Sequence, residues 1–458
     1  MASATDIRAA LGALDMLGNP LTLATCGWVL GPQHDRAALD NLLPKNSPMS
    51  CINQGVGHTP VESSFGRIQG RPKWAIPWFE NDPNMTGHQP WVGRMIYDGA
   101  DALRYGCTGL IGIHWRTKVI EMNIAALAQA GWAIPDGFQP VVKPVGAIKG
   151  DASEDRSLGA ATFYEDWANI NFGNDAGPGI GKLFIRLDGK AFPEVSGWGE
   201  GPGRVTVRNK PWAEEAKRFT FVDEMEALRP KVKGAGNLER FDYWLNTFRF
   251  TRTMAHFGCT VGELSRIMKG PNVDKERALA VRQELARLWV AMIRFQIAAV
   301  DTPGEMGTIA NLEQQSRGAA QLLTKQDAAL IKLLGTELPA SCQPSKAYEG
   351  PARIIVPTVR TQVAVDEKLT LKIILPGVNQ PNIANLYWRT MGSGNYKVVP
   401  IKHIARSVYT ATLPAANKDF EYYIRIGDSN GTKLIWPATA PQLNQTVIMA
   451  DVTNAKGK

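Results

Sequence analysis

Two short apolar runs, at residues 74–77 and 109–113, each stop abruptly at large, polar, hydrogen-bonding residues. The first is followed by Trp78, Glu80, Asn81 and Asp82, the second by His114, Trp115 and Arg116. Between them, residues 92–105 carry apolar side chains at helical spacing: Val92, Met95, Ile96, Ala100 and Leu103. Buried strand, polar tip, helix, buried strand, polar tip is the order of a (β/α) barrel, whose functional rim lies at the C-terminal ends of its strands. Carboxylates beside tryptophans at such a rim point to carbohydrate chemistry.

The same alternation runs through residues 1–140. Helices are expected over residues 7–17, 35–43 and 119–130, and strands over 21–25, 48–52, 73–77 and 109–113. Strand starts roughly 25 to 35 residues apart fit βα units in a parallel sheet. Four such units make half of an eight-stranded barrel, which needs about 250 residues. The expectation is therefore the C-terminal part of a TIM-type (β/α) barrel whose first half lies outside this chain. A small open α/β sheet is the alternative.

At 458 residues the chain exceeds one ordinary domain, and its pattern changes twice more. Residues 141–236 read as an irregular connecting region with a short helix at 160–172. The glycine-rich run SGWGEGPGR at 196–204 lacks the strand and GK[ST] context of a phosphate-binding loop and reads as a surface loop. From 237 to 338, Leu238, Phe241, Trp244, Leu245, Phe248, Met254 and Ala255 recur at helical spacing, and further amphipathic stretches near 275–300 and 325–334 complete a helical bundle. After a Pro/Ser-rich linker the period falls to two. Seven short strands between 350 and 452 then predict a β-sandwich accessory domain. The predicted fold class is thus multidomain: α/β, then all-α, then all-β.

Several function classes drop out. The net charge of +8 is spread along the chain without a Lys/Arg block, which argues against a nucleic-acid partner. It reads as solubility, or as a mild preference for anionic sugars such as uronic acids. No apolar run reaches the roughly eighteen residues of a membrane span. Five cysteines at wide spacing, with no Cys-x-x-Cys, fit neither a disulfide framework nor a structural zinc site. His34, Asp35, His58 and His88 lack metal-ligand spacing, so no metal and no cofactor is expected. The N-terminus lacks the basic and apolar regions of a signal peptide, which reads as cytoplasmic, or as periplasmic or extracellular if a true N-terminus precedes it.

Glu80 and Asp82 are the candidate catalytic pair. Two carboxyls can act as acid and base when their environments separate their pKa values. Glu80 lies beside Trp78 and Phe79, where an apolar wall would raise its pKa. The competing reading pairs one of the two with Arg94 or Arg116, holding the rim together. Trp115 can stack on a sugar face, Arg116 can grip a carboxylate or a hydroxyl pair, and His114 can hydrogen-bond or shuttle a proton. Trp28, Asn53, Trp78 and His88 are further candidate substrate contacts.

Four motifs carry a resemblance: PWFENDP at 77–83, GLIGIHWRT at 109–117, FYEDWANINFG at 163–173 and YWLNTFRFTRTMA at 243–255. With the order of barrel strands, helical region and β-sandwich, the chain resembles, over roughly residues 20–300, glycoside hydrolases of the β-hexosaminidase, α-glucuronidase and α-N-acetylglucosaminidase type. The resemblance implies a glycosidase cleaving a complex polysaccharide or oligosaccharide by acid/base hydrolysis. It also implies that Glu80 and Asp82 stand on the seventh barrel strand, where such enzymes place substrate-binding residues; the β-hexosaminidase-like acidic pair follows the fourth. A non-catalytic carbohydrate-binding protein is the alternative. A third reading is a scaffold whose open sheet edge pairs with a second copy, a homo-oligomer that completes the barrel.

Overall fold

The computed structural model describes residues 2–18, 21–25, 37–52, 63–132 and 159–450. It is a mixed helix-and-sheet protein with a C-terminal sheet region. The chain divides into two compact units, Met1–Trp167 with Ile180–Trp198, and Ala168–Gly179 with Gly199–Lys458.

The first unit begins with helix α1 (Ala2–Met16) and the single turn α2 (Ala37–Asp40), followed by strands β1 (Met49–Ile52) and β2 (Lys73–Ile76), helix α3 (Val92–Arg104), strand β3 (Gly109–Leu110) and helix α4 (Glu121–Ala130). β1, β2 and β3 form a parallel sheet in that order, with Ala75 opposite both Cys51 and Leu110. The expected runs at 48–52, 73–77 and 109–113 therefore lie side by side, joined by the crossovers that parallel strands require. No closed barrel is present among the described residues.

Two expected elements differ. Residues 21–25 are irregular, although Thr25 lies against β1: its N–H donates to Pro48 O (3.1 Å). Its side-chain oxygen takes the Ser50 N–H (3.2 Å) that a strand partner's carbonyl would accept, so no ladder forms. The helix expected over 35–43 is one turn long among the described residues. Buried Arg71 donates to the carbonyls of Asp40, Leu43, Pro44 and Ser47, and its Nε holds the Asp40 carboxylate at 2.6 Å. The Leu42 N–H bonds Leu39 O (2.9 Å) and tightens the turn, Pro44 brings no N–H to continue it, and Arg71 takes up the carbonyls left open. Lys73 does similar work at the start of β2, its buried ammonium donating to Phe65 O, Ile68 O and Tyr105 O.

The connecting region is more helical than its glycines indicate. It holds α5 (Ala161–Phe172), α6 (Gly177–Leu187), the two-residue strands β4 (Ser196–Gly197) and β5 (Arg204–Val205), α7 (Trp212–Glu215) and α8 (Thr220–Leu228). The glycines of α6 serve close approach: a Cβ on Gly177 would stand 2.2 Å from Asn169 Oδ1.

In the second unit α9 (Ala235–Lys269) and α10 (Lys275–Ala298) pack along each other, followed by α11 (Pro303–Leu312), a π-helical segment at Glu313–Ala319 and α12 (Asp327–Leu334). The predicted aromatic stripe faces inward: Phe241, Trp244, Phe248 and Phe257 of α9 are all buried. Arg282 of α10, with no exposed side-chain surface, binds both oxygens of Asp327 and the Cys342 carbonyl. Gly258 and Gly262, one turn apart on α9, let the backbone of residues 206–208 lie against the helix. A Cβ at either would meet Thr206 O or Arg208 O at 2.2 or 2.1 Å. Gly258→Ala is therefore expected to lower stability by about 1–3 kcal/mol through overpacking, read as a lower urea midpoint. Gly307→Ala, in open space on α11, should instead raise it by up to about 1 kcal/mol through helix propensity.

The C-terminal strands are β6 (Gln362–Ala364), β7 (Thr370–Ile374), β8 (Ile383–Thr390), β9 (Lys397–Pro400), β10 (Lys402–Ala405), β11 (Val408–Thr412), β12 (Phe420–Gly427), β13 (Lys433–Trp436) and β14 (Gln445–Ala450). One sheet has the order β10-β11-β7, the other β6-β14-β12-β8-β9 with β13 beside β12. Leu371, Ile373 and Ala411 of the first share one core with Leu386, Tyr422, Ile424 and Val447 of the second. Arg353 ties this region to the end of α10, donating to Ile297 O, Val300 O and Asp301. Such a cation at a helix C-terminus satisfies carbonyls that have no intrahelical partner.

Candidate functional site

Parallel pairing continues beyond β2 and β3. Trp78 bridges Ile113, Ile113 N donates to Pro77 O, and Phe79 N donates to Ile113 O, each bond 3.0 Å. Gly112 makes this register workable, because a Cβ there would stand 2.0 Å from the Phe79 ring. The two polar tips are thereby set side by side at the C-terminal end of the sheet.

Glu80 and Arg116 join them. Glu80 Oε1 accepts the backbone N–H groups of Trp115 (2.8 Å) and Arg116 (2.9 Å), while Oε2 takes Arg116 Nε and Nη2, both at 2.7 Å. Arg116 Nη2 also donates to Gly87 O at 2.9 Å. Glu80 is 0% exposed and Arg116 5%. Both Glu80 oxygens thus face fixed donors, closed off from solvent. This is the rim-holding arrangement, with Arg116 as the partner.

Asp82 has more freedom. Oδ1 accepts the indole N–H of Trp115 at 2.7 Å. Burial raises its pKa, the Trp115 bond pulls it down, and the Glu80 charge raises it again; the net direction is up. Trp115 itself is 59% exposed. Its backbone is held by Glu80 and its ring by Asp82, so an exposed aromatic surface is fixed at two points. His114 is exposed beside it, its ring 6.2 Å from that of Phe79.

His88 is buried away from this surface. Its Nδ1 lies 3.1 Å from Val119 O, as a donor, and the edges of Phe192 and Phe184 pack around it at 5.1 and 6.4 Å. Burial, then the Arg116 charge, pushes its pKa down to about 3 against the opposing pull of the Val119 bond. Trp78 is likewise buried. Trp28 and Asn53 lie outside the described residues. The structure therefore brings Glu80, Asp82, His114, Trp115 and Arg116 together, and of these five Asp82, His114 and Trp115 keep solvent-exposed surface.

Sequence reasoning missed the amides that hold the loop between β2 and α3. Asn123 of α4 donates to Phe79 O and Gln89 O and accepts from Trp91 N, all at 2.8 Å. Gln89 brackets Asn81, accepting from its N–H (2.6 Å) and donating to its carbonyl (3.2 Å). Asn84 Oδ1 accepts from Val195 N and Ser196 N. An asparagine inside the apolar run VIEMNIAALAQA was the one available signal, since a buried amide must find partners. Asp188 accepts from Val92 N (2.9 Å) and Gly93 N (3.0 Å) at the start of α3. Burial pushes its carboxyl up to about 6 although Tyr164 and these N–H groups pull it down.

Among the described residues no group of three His, Cys, Asp or Glu could hold a metal ion, and no helix is long and apolar enough to cross a membrane. No protein-family model and no curated protein matches this chain.

Proposed function

We propose that this chain is a glycoside-hydrolase-type protein, with the parallel sheet as part of a (β/α) barrel and the tip after β3 as a sugar-binding subsite. One observation carries the reading: the Trp115 ring is exposed, yet it is anchored by Asp82 at the indole nitrogen and by Glu80 at the backbone. An aromatic face held in place offers a pyranose an apolar platform at small entropic cost, with Asp82 and His114 beside it to meet hydroxyls. Glu80 then serves as a positioning carboxylate, and the substrate-binding role that the resemblance implies for the seventh strand falls to Asp82 alone.

The test is a panel of aryl glycosides, including glucuronides and N-acetylhexosaminides, scored for both binding and turnover. Trp115→Ala should weaken binding at least tenfold while changing stability by no more than about 0.5 kcal/mol, because the ring is a surface feature. Unchanged binding in that variant would remove the subsite. The second reading is a non-catalytic carbohydrate-binding protein, favoured by the commitment of both Glu80 oxygens to fixed donors. Saturable binding without release of aglycone would select it.

A further inference from the structure

A cleft of about 650 Å³ opens among α7, α9 and α10, lined by Trp212, His256, Thr260, Glu263, Arg266, Arg277 and Glu284, with small apolar residues between them. Its chemistry is not that of a helix–helix seam. Trp212 stacks face to face on His256, the ring centroids 4.3 Å apart and the planes 14° from parallel. The His256 ring is half-buried. Burial depresses its pKa to about 4; Glu284 and Glu263 pull it up and Arg287 pulls it down, so the ring is neutral at pH 7.

Around this double ring stand charges in three conditions. Glu284 is held by Arg287, whose Nε donates to Oε2 at 2.6 Å. Glu263 receives both bonds from Arg277 on Oε1, leaving Oε2 as an acceptor. Arg266 is exposed and, among the described residues, engages no hydrogen-bond or ion-pair partner. The cleft thus offers one uncommitted guanidinium, carboxylate acceptors and an aromatic wall.

A ligand that satisfies all three carries one carboxylate, several hydroxyl donors and an apolar ring face. A guanidinium grips a carboxylate through paired N–H groups. A dianionic phosphate ester would match Arg266 as well, but with Glu263 and Glu284 already paired to Arg277 and Arg287 the one open guanidinium balances only one of its two charges, whereas it balances a carboxylate fully. We propose that this cleft binds a hexuronate, with Arg266 on its carboxylate, the Trp212–His256 stack beside its ring and Glu263 Oε2 accepting a hydroxyl. The assignment rests on the cleft alone and stands whether or not the Trp115 tip binds sugar.

The test is calorimetric titration of the full chain at pH 7 with sodium glucuronate, glucose and glucose 6-phosphate. Glucuronate should bind saturably, and both other sugars at least tenfold more weakly. Arg266→Ala should weaken glucuronate at least tenfold with an unchanged melting curve, since its side chain is exposed and unpaired; Arg266→Lys should retain an intermediate affinity. In a Trp115→Ala background, where the tip no longer contributes, glucuronate should still bind saturably and Arg266→Ala should still weaken it at least tenfold. No saturable binding, equal affinity in Arg266→Ala, or tighter binding of glucose 6-phosphate would overturn the assignment. Loss of glucuronate binding in Trp115→Ala would also overturn it, by moving the site to the tip.

Discussion

Glu80→Gln is expected to destabilise the N-terminal unit by roughly 3–5 kcal/mol, the usual cost of removing one member of a buried ion pair. The glutamine amide would retain an oxygen for the Trp115 and Arg116 N–H groups. Its NH₂ would then face the Arg116 guanidinium, two donors opposed where Oε2 now accepts at 2.7 Å. Arg116 would keep its bond to Gly87 O but hold an uncompensated charge at 5% exposure. The check is urea denaturation of the wild type, Glu80→Gln, Arg116→Met and the double variant. In the double variant the stranded charge is gone, so much of the loss should return. A catalytic acid would behave otherwise, with stability preserved and turnover lost. The cycle therefore separates the positioning role from the catalytic one without knowledge of the substrate.

Acid should unfold this unit through His88. In the unfolded chain a histidine takes its proton near 6.5, whereas buried His88 resists until about 3. Between those values the unfolded state binds more protons, so stability falls as pH falls. The full effect is on the order of 5 kcal/mol once pH is below the folded value. Asp188 acts in the opposite sense: its carboxyl, pushed up to about 6, protonates in the folded state before it would in the unfolded chain, adding stability as pH drops from about 6 toward its ordinary value. The decisive measurement is the difference in stability between wild type and His88→Gln across pH 7 to 3, where the Asp188 contribution cancels. The difference should move in the variant's favour from just below pH 6.5 downward. A flat difference would mean that His88 is protonated as readily in the folded chain as outside it.

Local pattern was enough for the elements whose stabilisation lies in their own apolar spacing. The runs at 73–77 and 109–113, the helix at 92–105 and the stripe Phe241–Trp244–Phe248 could each be read because strand and helix periods differ and buried faces repeat. The same reasoning misled where a distant side chain intervened. Pro44 has no N–H to carry the helix on and Arg71 takes the carbonyls left open after Asp40, and Thr25 supplies a side-chain oxygen where a strand partner's carbonyl was expected. Glycines that read as loop in α6 instead permit close approach. Strands β9 and β10 were invisible because they lie at the sheet edges and are largely exposed, so no alternation marks them.

Which residues crowd the tips after β2 and β3 was legible in the chain, because both follow apolar runs short enough to be buried strands. Their partners and their burial came from tertiary contacts. Glu80 and Arg116 are 36 positions apart, and nothing local states that one saturates the other. Burial then divides the group by solvation: Glu80, Arg116 and His88 are enclosed and committed to the fold, while Trp115, His114 and Asp82 keep surface for a ligand. The Trp212–His256 cleft has the same origin, since α7 and α9 bring together rings 44 residues apart that no sequence window contains.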